Sequence, residues 1–280
     1  MKIQSAGRLG NTLFIWAYAI YISQDDKIRV SIFTDRFHSD VGFDSSQTRK
    51  LLSDPKIRFC NSDFNGGLLA AIDWTSGKSL KLGRALKIIF GVSDEWDPIT
   101  SRARIVRGFF QNSDYVLKNK TIISEKLLQA TYSIELNSRK IQQLKSRYPQ
   151  YQVAHIRLGD FINSEFGVIA PESYKSAFDP KIPLLICTDG SREEILEMVD
   201  FPFEEILTPA ELSTWETLCI MQSASRFVGA NSTLSWWGAF LAISRGNLAF
   251  LPDQWVKSGN RKDLKLFNLE GSKRYKVHFI

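Results

Sequence analysis

From Tyr151 to Leu251 short apolar runs of strand length alternate with segments of helical period, and most changes are marked by a serine, a proline or a glycine. This alternation constrains the fold more than any other feature. Successive strand–helix–strand units bring parallel strands into one sheet and cover its faces with helices. Tyr151–Leu158 reads as a strand, Pro171–Phe178 as a helix opened by proline, and Leu184–Thr188 as a buried strand. Ser191–Val199 reads as a helix capped by Ser191, with Glu193 and Glu194 in its first turn. Glu205–Leu207 (strand), Ala210–Ser225 (helix), Arg226–Ala230 (strand), Leu234–Ser244 (helix) and Leu248–Leu251 (strand) complete the series. The expected class is α/β, a doubly wound parallel sheet. Its ligand-facing residues are Arg157, Asp189, Thr208 and Asn231, because open sheets of this kind hold ligands beyond the carboxyl ends of their strands.

The first half keeps the same rhythm. Lys2–Gln4 is a short strand, Gly7–Asn11 (GRLGN) a turn, and Thr12–Ser23 a helix with Leu13, Trp16, Ala17, Ile20 and Tyr21 on one face. Ile28–Phe33 and Lys56–Cys60 read as strands and Leu68–Phe90 as mostly helix, with Lys81, Arg84 and Lys87 near one face. Arg104–Phe110 is a strand that runs into Gln111, Asn112 and Ser113, where the next helix starts. Lys118–Ala130 and Ser138–Arg147 are helical, and Tyr148–Pro149 is the expected border between two domains, 1–149 and 150–280. Two such halves place an active site in a cleft between them.

The chain has no low-complexity or repeated segment. Leu13–Ile22, its dense apolar stretch near the N-terminus, is too short to span a bilayer, and MKIQSAGRLGN supplies a strand and a turn rather than a secretion signal. The expected location is cytoplasmic. Cys60, Cys187 and Cys219 are odd in number and widely spaced, which points to free thiols rather than disulfides or zinc. Of the formal net charge of +6, the segment Val256–Ile280 carries +5. Such a segment suits an anionic membrane surface, a nucleic acid or a phosphorylated substrate, and equally a merely solvated surface.

The chemistry concentrates in two stretches, VAHIRLGD (Val153–Asp160) and GANSTLSWWGAFL (Gly229–Leu241). His155 and Arg157 lie two apart on a strand and leave the same face of the sheet. Arg157 offers a bidentate fork to phosphate oxygens, or an ion pair to Asp160. His155 either contacts phosphate or packs and positions the arginine. Asp189, in CTDG, meets a nucleotide's ribose or base, or serves its own turn. Asn231, Ser232 and Thr233 open an apolar helix, where hydroxyls and backbone N–H groups make an anion site. Trp236 and Trp237 belong to the core. No Asp-x-Asp occurs anywhere in the chain, and Asp25–Asp26 and Asp94–Asp97 lack a suitable strand end, so no metal site is expected. Charge neutralisation of a diphosphate then falls to Arg157 and the helix start near Ser232.

These motifs, together with GRLGN, RGFFQNSDY, PESY, CTDG and WETLCIMQSAS in the same order, resemble the α-1,2-fucosyltransferases, family 11 of the glycosyltransferases. The resemblance spans nearly the whole chain. It implies a GT-B fold of two Rossmann-like domains facing a central cleft, with the acceptor on the N-terminal side and the donor on the C-terminal side. It also implies GDP-L-fucose as donor, inversion at the anomeric carbon, a glycan acceptor, and neither metal nor cofactor. By position, Arg157 meets the donor diphosphate with His155 beside it. Asn231, Ser232 and Thr233 line the donor pocket, and Gly10 and Asn11 approach it. Two positions depart from the family's pattern: Leu158 stands where a second arginine is usual, and Gly190 follows Asp189 where an acidic pair is usual. Protein O-fucosyltransferases also lack that second arginine. By analogy with the more distant α-1,6-fucosyltransferases, Glu165 is the candidate general base and Asp160 the alternative. A related GDP-6-deoxysugar such as colitose, and a silent nucleotide-binding relative, are the competing readings. A nucleic-acid partner rests on charge alone and is not expected. A bacterial enzyme acting on a lipid-linked polysaccharide repeat, with its basic C-terminal segment on the inner membrane, would fit this picture.

Overall fold

The computed structural model describes residues 1–4, 7–25, 27–33, 46–60, 92–94, 105–258 and 268–280. Packing divides them into two compact units, Met1–Gln111 with Tyr115–Ile123, and Ser124–Ile280 with Asn112–Asp114. In the first unit the elements are β1 (Lys2–Gln4), α1 (Leu9–Ile22), β2 (Val30–Phe33), α2 (Ser46–Leu51), β3 (Ile57–Cys60), β4 (Val92–Asp94) and β5 (Ile105–Arg107). The strands form one parallel sheet in the order β3-β2-β1-β5-β4. Helix α1 is buried without a break from Thr12 to Ile20, so it packs on most of its faces. Its one indole donor there, Trp16 Nε1–H, reaches the Leu52 carbonyl at 3.1 Å.

Helices α3 (Ser113–Leu117) and α4 (Lys120–Asn137) cross the division, and α5 (Arg139–Arg147) follows. The sequence border at Pro149 marks a helix end rather than a change of core. Contacts explain why: the Thr131 carbonyl accepts from Cys219 Sγ–H, Ser138 donates to Glu216 at 2.6 Å, and Glu135 accepts from Ser223 at 2.8 Å. These helices are therefore part of the second unit's packing.

The second unit runs β6 (Gln152–Ile156), two 3-10 turns (Gly159–Phe161 and Pro171–Ala177), β7 (Leu184–Thr188), α6 (Arg192–Met198), β8 (Glu205–Leu207), α7 (Thr214–Ser223), β9 (Arg226–Val228), α8 (Thr233–Ser244), β10 (Leu248–Pro252) and β11 (Lys273–Tyr275). All of its strands are parallel, in the order β11-β10-β9-β6-β7-β8. The chain moves outward from β6 to β8, then returns to β6's other side at β9. The order reverses between β6 and β9, and it is beyond the carboxyl ends of such a pair that open sheets of this kind hold their ligands. Every residue of β6 and β7 is buried, as expected of central strands covered on both faces. Trp236 and Trp237 pack edge to face at 5.1 Å in the core, as their helix predicts.

Several elements differ from the sequence reading. Pro171–Ala177 is a 3-10 helix, and α7 starts at Thr214, because Ser213 and Glu216 close a reciprocal cap there. Strand β11 was not anticipated: with Lys273 and Arg274 exposed it lacks an apolar alternation, and charge is how an edge strand resists further pairing. Part of the basic C-terminal segment is thus a strand of this sheet. The helix expected over 68–90, Asp26, Asp97, and Arg261, Lys262 and Lys265 lie outside the described residues. Cys187 and Cys219 are buried free thiols, and burial pushes the Cys187 thiol up to about 12. No described helix is long and apolar enough to cross a membrane.

Candidate active site

At the end of β6 the guanidinium of Arg157 lies between two carboxylates. Nη1 is 2.6 Å from Asp189 Oδ2, at the end of β7, and Nη2 pairs with Asp160 Oδ1 on the first 3-10 turn. The Asp189 approach is off the hydrogen-bond line, a charge–charge contact, while Asp189 Oδ1 accepts the Leu158 N–H at 2.8 Å. Arg157 also stacks over the Phe161 ring at 5.0 Å, and its Nε is buried with no hydrogen-bond partner among the described residues. The ion pair to Asp160 expected as an alternative is therefore present, and Asp189 adds a second that the sequence did not suggest. The two carboxylates differ in exposure: the Asp160 side chain is 63% exposed and that of Asp189 17%. Gly159 is required between them, because its φ is +30° and a Cβ there would collide with Asp189.

His155 is buried, and its Nδ1 lies 2.6 Å from Ser235 Oγ. Ser232 Oγ lies 3.2 Å from Ser235 Oγ, so the imidazole, the two hydroxyls and the cap of α8 form one buried hydrogen-bonded chain. Desolvation, with a smaller push from Arg157, lowers the His155 pKa to about 3. The imidazole is neutral at physiological pH and links Arg157's strand to the start of α8. There Ser232 is the cap residue, accepting the Ser235 N–H at 3.1 Å. Thr233 is the first helical residue and is half-buried. An N-terminus of this kind favours an anion through its backbone N–H groups and dipole.

Asn231 turns the other way. It is buried, and its Nδ2 donates to the carbonyls of Phe166 at 3.0 Å, Gly167 at 3.3 Å and Trp255 at 3.0 Å. Glu165, one residue before that contact, has an exposed side chain, and its carbonyl accepts the Lys257 N–H at 3.1 Å. Thr208 is tied to Glu211, which accepts both its N–H and its hydroxyl. Gly10 and Asn11 belong to the first unit, in the first turn of α1. Asn11 Oδ1 accepts from Gln111 Nε2 at 2.8 Å, so GRLGN and the segment after β5 meet where adjacent strands end. Nearby Phe110, at φ +51°, stacks on Tyr18 with centroids 4.1 Å apart.

Two buried tyrosines were missed by sequence reasoning. Tyr174 O–H donates to the His155 carbonyl at 3.1 Å, and Tyr275 O–H donates to the Gly229 carbonyl at 2.8 Å. Their rings lie 5.5 Å apart, so one aromatic pair fixes the ends of both strands at the switch point. PESY drew notice only as a motif, and Tyr275 lies on the unanticipated β11. Ser235 was also missed; its signal was a second serine three residues after the cap.

A scan against protein-family models finds no match, and a comparison with curated proteins finds none either. Solved structures do match in shape. A glycosyl transferase family 9 protein from Veillonella parvula is 8% identical, with 98% of this chain and 86% of that chain covered at a TM-score of 0.50. The fold is GT-B. The ADP-heptose lps heptosyltransferase II of E. coli is 11% identical over 98% of this chain and 89% of that one, with a TM-score of 0.49. The fucosyltransferase NodZ from Bradyrhizobium is 11% identical over 86% of this chain and 93% of that one, at 0.47. What this GT-B chain adds is its own set of side chains at the β6–β9 switch point.

Proposed function

We propose that the protein is an inverting, metal-independent glycosyltransferase that moves L-fucose from GDP-L-fucose to a glycan hydroxyl, the 2-OH, in α-1,2 linkage. The observation that carries this reading is Arg157: a guanidinium at the switch point of a Rossmann-like sheet, with one counter-ion mostly exposed and the start of α8 beyond the neighbouring strand. A diphosphate can take the place of Asp160 at Nη2 while Asp189 holds Nη1. The resemblance of HIRLGD and NSTLSWWGAFL to α-1,2-fucosyltransferases supports GDP-fucose as the donor.

In this reaction the acceptor oxygen attacks the anomeric carbon from the face opposite the diphosphate. Its proton passes to the Glu165 carboxylate, the bond from the anomeric carbon to the β-phosphate oxygen breaks, and GDP leaves with the added negative charge. Arg157 and the Ser232–Thr233 helix start stabilise that charge, a role typically worth about 100-fold to 1000-fold in rate. Asp160 is the second candidate for the proton. His155, neutral and buried, acts as an uncharged support to the same site. The second unit is thus the donor side and the first the acceptor side. A lipid-linked polysaccharide repeat at the inner membrane is the acceptor class we infer from the basic C-terminal segment.

A second reading keeps the chemistry and changes the sugar. Leu158 is buried against Gly190, with the Glu194 carboxylate beside them, where the resembling family carries an arginine and an acid, and this departure supports a different GDP-6-deoxysugar, such as colitose.

Thermal shift with GDP, GDP-fucose, GDP-mannose, UDP and UDP-glucose, with and without EDTA, tests the donor. A ligand at about 100 times its dissociation constant stabilises by about 2.7 kcal/mol. We expect GDP and GDP-fucose to raise Tm, with EDTA making no difference. No response to any guanine nucleotide would defeat the assignment.

A further inference from the structure

Asn231 sits immediately before the cap of α8, yet its amide faces away from the helix start. One NH₂ group carries two hydrogens, and here it serves three carbonyls, those of Phe166, Gly167 and Trp255. The orientation is unambiguous: the opposite one would set Oδ1 against three carbonyl oxygens. The segment that Asn231 grips is pinned from other sides too. The Lys257 N–H donates to the Glu165 carbonyl at 3.1 Å, and the Ile280 N–H donates to the Val168 carbonyl at 3.0 Å. Gly167, at φ +70°, has no room for a side chain, since a Cβ would lie 3.0 Å from both Lys257 Cβ and Phe279 Cδ1. Phe166 stacks on Phe161, centroids 5.1 Å apart, which ties the segment to the turn that carries Asp160. Glu165 is therefore an exposed carboxylate on a backbone held at its own carbonyl and at the next three residues.

We propose that Asn231 is a positioning residue, which fixes the peptide of Glu165 relative to the start of α8 and so sets the distance from general base to leaving diphosphate. This rests on the transferase reading above and changes the part that Asn231 plays in it, from donor contact to spacer. In-line displacement needs the base and the leaving group on opposite faces of one carbon. A misplacement of about 1 Å there can cost about 100-fold in rate.

Three measurements on wild type and Asn231→Ala test it: amide hydrogen exchange of the peptide spanning 164–168, GDP affinity by calorimetry, and kcat and KM for hydrolysis of GDP-fucose. We expect exchange at 164–168 to rise about tenfold, as befits the loss of about one net hydrogen bond, while β7 keeps its protection. GDP affinity should stay within about twofold and KM should hold, with kcat down by about 100-fold. Should Asn231→Ala fail to fold, Asn231→Ser carries the same measurements. Unchanged exchange at 164–168 would overturn the proposal, as would GDP affinity falling in step with kcat, which would make Asn231 a donor ligand. Wild-type protein that binds no GDP would overturn the transferase reading and the positioning role with it, while the exchange result would still report whether Asn231 holds the segment.

Discussion

The two sides of the switch point in the second unit are built from different chemistry. At the end of β6 the contacts are between charges, Arg157 with Asp160 and Asp189, and they remain partly open to solvent. At the end of β9 they are between an amide, hydroxyls and an imidazole, and Asn231, Ser232, Ser235 and His155 are all buried. An ion pair near solvent is weak enough to trade one anion for another, whereas buried groups that already have partners lose whole hydrogen bonds when they are disturbed. The β6 side is therefore suited to meet a ligand through its side chain. The β9 side is suited to meet it through backbone N–H groups that its side chains hold in place.

The contrast breaks most visibly at Arg157. Arg157→Ala should lower release of GDP from GDP-fucose by about 100-fold to 1000-fold, and an undiminished rate would show that the charge at β6 serves only its own ion pairs. Next come its partners. In urea titrations Asp189→Ala should cost about 2–3 kcal/mol, between the values for exposed and fully buried pairs, and Asp160→Ala less than about 1 kcal/mol. Equal losses would remove the distinction between a fixed and a replaceable counter-ion.

The β9 side can be probed by pH. The folded-state pKa of His155, about 3, lies below its ordinary value of 6.5, so the unfolded chain takes up a proton first as pH falls. Stability from this group is complete above about pH 6.5 and drains away as pH drops toward 3, by about 2 kcal/mol between pH 6.5 and 5. Tm measured over that range should fall for wild type and fall less for His155→Asn; parallel curves would mean that His155 is already protonated in the fold. The smallest effect belongs to the cap: Ser232→Ala should cost about 1 kcal/mol in a denaturant titration, and no loss would mean that Ser232 does not hold the start of α8.

Much of this site could be read from the sequence because its parts lie at strand ends. The strand ending in Arg157, the buried strand before Asp189 and the apolar helix after Ser232 each announce themselves by local pattern. Their partners do not. Asn231 binds Phe166 across 65 residues, and Tyr275 reaches Gly229 across 46, and no local period encodes such pairings. A serine–threonine turn looks the same whether the asparagine before it faces a ligand or a neighbouring loop. The strand that carries Tyr275 was illegible for a related reason: its two charged residues serve an edge, where alternation is not required. Where the packing divides is not marked locally either, because α4 and α5 read as helices without saying which core they join.

Leu158 and Gly190 touch across the ends of β6 and β7; a Cβ on Gly190 would lie 2.6 Å from Leu158 Cδ1. Any side chain at 190 needs the space that Leu158 fills, and it would crowd the Glu194 carboxylate as well, whose Oε2 lies 2.9 Å from that Cβ position. The two positions are thus locked to each other in the history and the engineering of this chain. An acid cannot enter at 190 by a single step while Leu158 stands in its place without passing through a crowded intermediate. Libraries aimed at changing which sugar is carried would reach working variants by randomising the two codons jointly.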